Sequence, residues 1–221
     1  KTEREVVKNT ISLLEKKGFI DFNKLISGDV KATAGLKIYF SNRGRALFIA
    51  ILGKKSPECG LKIVGSHIDS PRLDIKPTPL YEDSEIAHYY GGIKKYQWVA
   101  TPLALHGVII KNTGESIFVS IGEENNEPKF IISDLLPHLG RDQMAKPAGA
   151  VINPEQLNLI IGSIPELDEN DETDSSEPKE LSVKQSILKL LFEKYNICEK
   201  DFTRAELQVV PAVKAFDVGF D

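Results

Sequence analysis

Val7, Ile11 and Leu14 recur at helical spacing behind Thr2-Glu3-Arg4-Glu5, where a hydroxyl and a carboxylate three residues on have the spacing of a capping box. With Gly18 as the stop, this pattern predicts a helix over about residues 3–17. Two strands are expected next, Leu36–Phe40 and Ala46–Gly53. They are joined at Ser41-Asn42-Arg43-Gly44, where Asn and Gly suit the positive φ of a tight turn. Arg43 and Arg45 are expected to solvate that turn, with anion binding as the alternative. After a polar loop, Leu61, Ile63 and Val64 form an apolar run that reads as a buried strand. It ends abruptly in Gly65-Ser66-His67-Ile68-Asp69-Ser70-Pro71. Helix, strands and buried strand together suggest an α/β layer with polar strand ends gathered at one edge.

The texture changes after Pro71. Pro71, Pro77 and Pro79 lie close together, and proline interrupts strand ladders, so this stretch is predicted to cross between units rather than form a central strand. From Trp98 onward short strands are expected at Trp98–Leu105, Gly107–Lys111, Ser116–Ile121 and Lys129–Ser133. Turn signals at Asn112-Thr113-Gly114 and Gly122-Glu123-Glu124-Asn125-Asn126 separate them, a spacing that reads as antiparallel. A domain boundary is therefore expected near Lys76–Pro79. Glu166 to Glu180 is acidic and contains Pro178, which reads as a solvated loop or, alternatively, a metal-binding acidic cluster. Ser182-Val183-Lys184-Gln185 is a second capping box, and Val183, Ile187, Leu190 and Leu191 share one face of the helix it starts. That helix should end near Asn196, followed by a strand over Glu206–Val210 that Pro211 stops.

Composition narrows the partners. At 221 residues, with 41% hydrophobic and 27% charged residues, the chain can bury a core as one large domain or two smaller ones. A net charge of -4 argues against nucleic acid as a general partner, because a phosphate backbone needs a basic footprint. No apolar run approaches the roughly 20 residues that span a bilayer, so no membrane partner is expected. The chain begins at Lys1 rather than Met, and no signal peptide is visible. Cys59 and Cys198 are too few for a disulfide framework; both thiols are expected to be free, and a cytoplasmic location fits them.

The chemistry centres on Leu61 to Pro79. On an extended strand side chains alternate, so His67 and Asp69 would point to one face and Ile68 to the other. Zinc favours imidazole nitrogen and carboxylate oxygen, and a ligand histidine is usually oriented by a carboxylate. His-x-Asp alone leaves two readings open, a metal or catalytic site and an ordinary hydrogen-bonded pair at a strand end. A serine-hydrolase reading of Ser66, His67 and Asp69 is disfavoured, because Ser66 would project from the opposite face and triad members come from separate elements. His88, beside Tyr89-Tyr90-Gly91-Gly92, and His106, before Gly107, read as structural, and so does His138 taken alone.

Several motifs read together carry more. Gly65-Ser66-His67-Ile68-Asp69-Ser70-Pro71-Arg72-Leu73-Asp74 with Lys76-Pro77 is joined by Tyr89-Tyr90-Gly91-Gly92-Ile93-Lys94-Lys95-Tyr96. Asp134-Leu135-Leu136-Pro137-His138-Leu139 and Asp217-Val218-Gly219 follow in order. This set resembles the M18 metallopeptidases, the aspartyl aminopeptidase and aminopeptidase I family, and is similar to their bacterial branch over essentially the whole chain. The resemblance implies an α/β metallopeptidase domain, here residues 1–76 and 212–221, into which a mostly antiparallel β oligomerisation domain, residues 77–211, is inserted. It further implies a pair of zinc ions, with His67 as a metal ligand and Asp69 as the catalytic carboxylate that orients and polarises the site. Such a pair binds a peptide's free N-terminus, polarises its carbonyl and activates water. His138 resembles the family's histidine that reaches into a neighbouring subunit's active site to hold substrate or stabilise an oxyanion. Homo-oligomers built from dimers follow from the same resemblance.

The expected activity is removal of N-terminal residues from peptides, acidic ones being the family's preference. The family's remaining zinc ligands and its general base correspond to positions beyond Asp221, so only part of the site is expected within these residues. The rival expectation is a non-catalytic assembly or binding subunit that keeps the β domain without the chemistry.

Overall fold

The computed structural model describes residues 1–81, 84–164 and 181–220; the acidic stretch Glu166 to Glu180 lies outside them. The chain divides into two compact units, Lys1–Ser70 and Pro71–Asp221.

In the first unit, helix α1 (Glu3–Lys16) starts as its sequence dictates. Thr2 Oγ1 accepts from the Glu5 N–H while a Glu5 carboxylate oxygen accepts from the Thr2 N–H, so both halves of the capping box form. The apolar stripe buries Val7 and Leu14. Strand β1 (Ile20–Asp21), the short helix α2 (Asn23–Ile26), β2 (Lys37–Asn42) and β3 (Ala46–Ile51) follow. The sheet runs β1-β2-β3, with β1 parallel and β3 antiparallel to β2. Arg43 and Gly44 take φ of 54° and 68°, and the Arg45 N–H donates to the Asn42 carbonyl at 3.0 Å. That is a two-residue turn of the hairpin-favouring hand, with Arg43, not Asn42, in the left-handed region. Arg45 does not simply solvate the turn. Its guanidinium binds the Glu3 carboxylate at 2.8 Å, and Arg4 donates to the Arg43 carbonyl at 2.9 Å, pinning the hairpin to α1. Tyr39 donates to Glu15 at 2.8 Å, and burial first, then this bond, pushes its phenol up to about 12.

The second unit is built on a six-stranded, wholly antiparallel sheet. Its strands are β4 (Arg72–Tyr81), β5 (Ser84–Tyr90), β6 (Leu103–Ile110), β7 (Ser116–Ile121), β8 (Leu159–Ile160) and β9 (Ala205–Pro211), in the order β7-β6-β9-β4-β5-β8. Helices α3 (Arg141–Met144) and α4 (Val183–Tyr195) complete it. Two expectations change here. The proline-rich stretch does not leave the sheet: β4 runs through Pro77 and Pro79, between β9 and β5. Its register with β5 shifts between Ile75 and Leu80, so the prolines fall where the ladder is already broken. Nor does Gly107 divide two strands. Residues from Trp98 to Pro102 are outside any strand, and β6 passes straight through Gly107.

Alternation sorts the two faces of this sheet. Leu73, Leu105, Ile109, Val119, Leu207 and Val209 lie on one face and share a core with Leu157, Leu159, Ile197 and Phe202. The other face carries a polar row in register, Ser120–His106–Gln208–Asp74–His88. His106 is buried there, its Nε2 2.7 Å from Glu123 Oε1, and the His88 ring stacks on Tyr89. Helix α4 is capped by Ser182 and Gln185 and closed by Asn196 in the left-handed region. Leu188, Leu191 and Tyr195 pack on the core while Leu190 is exposed, so the buried stripe is rotated from the predicted one.

After α4, Asp201 accepts from the Cys198 N–H at 3.0 Å and from its thiol at 3.1 Å. These bonds, the backbone one first, hold its carboxyl below the usual range. A carboxylate lowered in the native state stabilises the fold above its ordinary value near about 4, and loses that contribution as pH falls through the lowered value. Asp201→Ala should therefore cost about 1 kcal/mol at neutral pH. In urea unfolding the gap to wild type should close progressively below about pH 4; a gap that widens on acidification would refute this. Cys59 and Cys198 are free and exposed. Among the described residues no helix is long and apolar enough to cross a membrane.

Candidate functional site

The segment after β3 departs most from its sequence pattern. Residues 60–70 form neither helix nor strand. Leu61, Ile63 and Val64 are 70%, 82% and 98% exposed, so the expected buried strand does not form. A strand buried on both faces needs hydrogen-bonded neighbours, and among the described residues no strand pairs with this run.

The His-x-Asp pair is nevertheless brought together. His67 Nδ1 lies 3.4 Å from Asp69 Oδ1, with the side chains 89% and 37% exposed. With Nδ1 facing the carboxylate, Nε2 is the nitrogen turned away from it. A carboxylate holding Nδ1 selects the tautomer whose Nε2 has a free lone pair.

These donors are of the kind zinc takes, one imidazole nitrogen and an orienting carboxylate. They fit part of a coordination sphere. Among the described residues no group of three or more His, Cys, Asp or Glu side chains is placed to hold a metal ion. His67 and Asp69 belong to the first compact unit and His138 to the second. His138 sits exposed in a turn that the Leu139 and Gly140 N–H groups close onto the Leu136 carbonyl. Asp134 Oδ1 fixes the start of that loop, accepting from the Leu135 N–H at 2.8 Å and Gln143 Nε2 at 2.9 Å. Leu135, Leu136, Leu139 and Met144 are exposed around it.

The latter half of the His-x-Asp motif does something different. Arg72 is buried on β4, donates from Nε to Asp74 at 2.8 Å and stacks its guanidinium 4.1 Å from the centre of the Tyr90 ring. Sequence reasoning gave Arg72 no role of its own. The signal was present in Arg72-x-Asp74-x-Lys76, charges alternating along a strand, which places all three on one face. The motif thus runs from the exposed pair into an anchored strand.

Comparison with known proteins gives this arrangement its setting. A family model described as Aminopeptidase I zinc metalloprotease (M18) matches residues 1–221. The chain is similar to a probable M18 family aminopeptidase 1 of Clostridium acetobutylicum, 49% identical over 225 residues, covering 100% of this chain and 47% of the relative. Its fold is similar to the crystal structure of an M18 family aminopeptidase from Thermotoga maritima. There the TM-score is 0.83 at 40% identity, over 99% of this chain and 46% of that one. Aminopeptidase I from Borrelia burgdorferi B31 is similar with TM-score 0.78 at 37% identity, over 100% of this chain and 48% of the other. The chain spans about half the length of the relatives it matches. Since the match runs unbroken through both units, the chain belongs to the M18 family, the aminopeptidase I zinc metalloproteases.

Proposed function

We propose that the polypeptide carrying this chain is a zinc-dependent aminopeptidase that removes N-terminal residues from peptides, acidic residues among them. The observation that carries the reading is the exposed His67–Asp69 pair at 3.4 Å inside a whole-chain match to a zinc aminopeptidase family. In this reading His67 holds one zinc of a pair through Nε2, and Asp69 keeps the ring in the tautomer and orientation that leave Nε2 available. Zinc, when bound, supplies Lewis-acid polarisation of the peptide carbonyl and a water of lowered pKa. Residues 1–76 and 212–221 contribute to the peptidase domain, and 77–211 form an inserted oligomerisation domain. His138, from that domain, holds substrate or stabilises the oxyanion in a neighbouring subunit of a homo-oligomer assembled from dimers. The exposed apolar side chains around His138 support a loop that is covered by another subunit. The cytoplasm is the proposed location.

The test uses the complete polypeptide. Dialysis against 1,10-phenanthroline should abolish release of free N-terminal residues from short peptides, and added Zn²⁺ should restore it. A panel differing only in the first residue should show the highest kcat/KM for Asp or Glu if the acidic preference holds. Peptide hydrolysis that survives removal of all bound metal would sink the reading.

A further inference from the structure

We propose that Arg72 is a positioning residue for the His67–Asp69 pair, its clamp on Tyr90 restraining the chain from which the pair projects. The proposal rests on the reading of His67 as zinc ligand and Asp69 as its orienting carboxylate. It gives β4 and β5 a part in zinc binding separate from any part in assembly.

The clamp is built on two neighbouring strands. Arg72 begins β4, and Tyr90, which ends β5, stands directly opposite it in the antiparallel register. Directly opposite residues share a sheet face, and so do Arg72 and Asp74, two residues apart. Three side chains therefore meet. The Arg72 guanidinium lies 4.1 Å from the centre of the Tyr90 ring, and its Nε donates to Asp74 at 2.8 Å. Ring face and carboxylate hold the guanidinium from two directions.

Packing alone does not account for an arginine here. Its side chain is buried, and a buried charge costs stability that an apolar side chain of similar volume would not. What the arginine adds is a defined geometry at the first residue of β4.

That geometry reaches Asp69 through a stiff link. Only Ser70 and Pro71 lie between them. The proline ring fixes φ at 71, and its Cδ steers the residue before it away from the helical region. Gly91, next to Tyr90, takes φ of +77° and lies against Pro71, where an added Cβ would stand 3.5 Å from the Pro71 Cα. The same turn thus braces Pro71 and presents Tyr90 to Arg72. His67 is 89% exposed and has little packing of its own, so the restraint on its ring comes through Asp69, 3.4 Å away. A backbone rotation at Ser70 would carry that carboxylate off Nδ1.

The test measures zinc retention and steady-state kinetics in the complete polypeptide. Tyr90 is 44% exposed, so Tyr90→Leu removes the ring face without opening the core. It should weaken retention of one zinc against a competing chelator about tenfold or more, and lower kcat while KM stays near wild type. Tyr90→Phe keeps the ring face and should behave as wild type. Arg72→Lys keeps the charge but loses the planar group, and should follow Tyr90→Leu. Sedimentation should give one and the same assembly for all three. A folded Tyr90→Leu polypeptide that holds zinc as wild type does overturns the proposal. So does a phenylalanine variant as impaired as the leucine one, or zinc loss that appears only with loss of the assembly. His67→Ala in parallel tells two failures apart. Zinc and activity intact there sink the peptidase reading; zinc lost there but kept in Tyr90→Leu sinks only the clamp.

Discussion

Replacing His67 with alanine in the complete polypeptide should lower kcat/KM for peptide hydrolysis by about a thousandfold or more, without disturbing the fold. The imidazole is 89% exposed, so its loss removes no packing. If it ligates zinc, its loss removes transition-state stabilisation worth several kcal/mol, and about 4 kcal/mol is already a factor of a thousand. Asp69→Asn should have the smaller effect of a group acting through the ligand, about 10–100-fold in zinc affinity or activity. Its amide keeps the size of the carboxylate but can no longer fix the His67 tautomer by charge. Zinc content by mass spectrometry under native conditions separates the two roles: one ion lost in the histidine variant, weakened retention in the asparagine variant. Unchanged activity and unchanged zinc in both would end the assignment of this pair.

Gly107→Ala should be the most damaging single methyl group in the second unit. Gly107 has φ of +150°, and a Cβ there would collide with the Glu206 carbonyl oxygen and stand 2.9 Å from Leu207 Cα. Both atoms are backbone of β9, so no side chain can swing aside. The strands would have to separate inside the continuous β6–β9 ladder. Destabilisation of about 3 kcal/mol or more is expected, from backbone strain plus overpacking, and loss of the folded unit is the extreme case. Gly114→Ala is the control, since it too has positive φ, 84°, but open space around the added carbon. It should cost only about 1 kcal/mol. Thermal unfolding followed by far-ultraviolet dichroism distinguishes them, and a Gly107→Ala chain as stable as the Gly114 variant would be the contrary result.

The sequence specifies an element legibly where the determining interaction is itself local. Thr2 with Glu5 and Ser182 with Gln185 start α1 and α4 where expected, because a capping box is complete within four residues. The hairpin between β2 and β3 was legible for the same reason, although Arg43 rather than Asn42 takes the strained dihedral. What failed depends on partners distant in sequence. Gly107 looked like a strand break, yet it is the residue that lets β9 come close. Pro77 and Pro79 looked like an exit from the sheet, yet a register shift absorbs them. Leu61, Ile63 and Val64 looked buried because apolar β-branched runs usually are, and burial requires neighbours that a single segment cannot supply. For the site, the approach of His67 to Asp69 is legible because the two lie two residues apart. Arg72 carries no such local signal, because its contact is with Tyr90, a residue of another strand.

The exposed run at Leu61, Ile63 and Val64 bears on how this chain can be produced and stored. Three exposed aliphatic side chains with little masking charge, Lys62 alone among them, make an apolar patch of the kind that favours association. Losses of the 221-residue chain in expression should therefore track chaperone supply and growth temperature rather than melting temperature. Precipitates should give a protease-resistant fragment centred on Ile63.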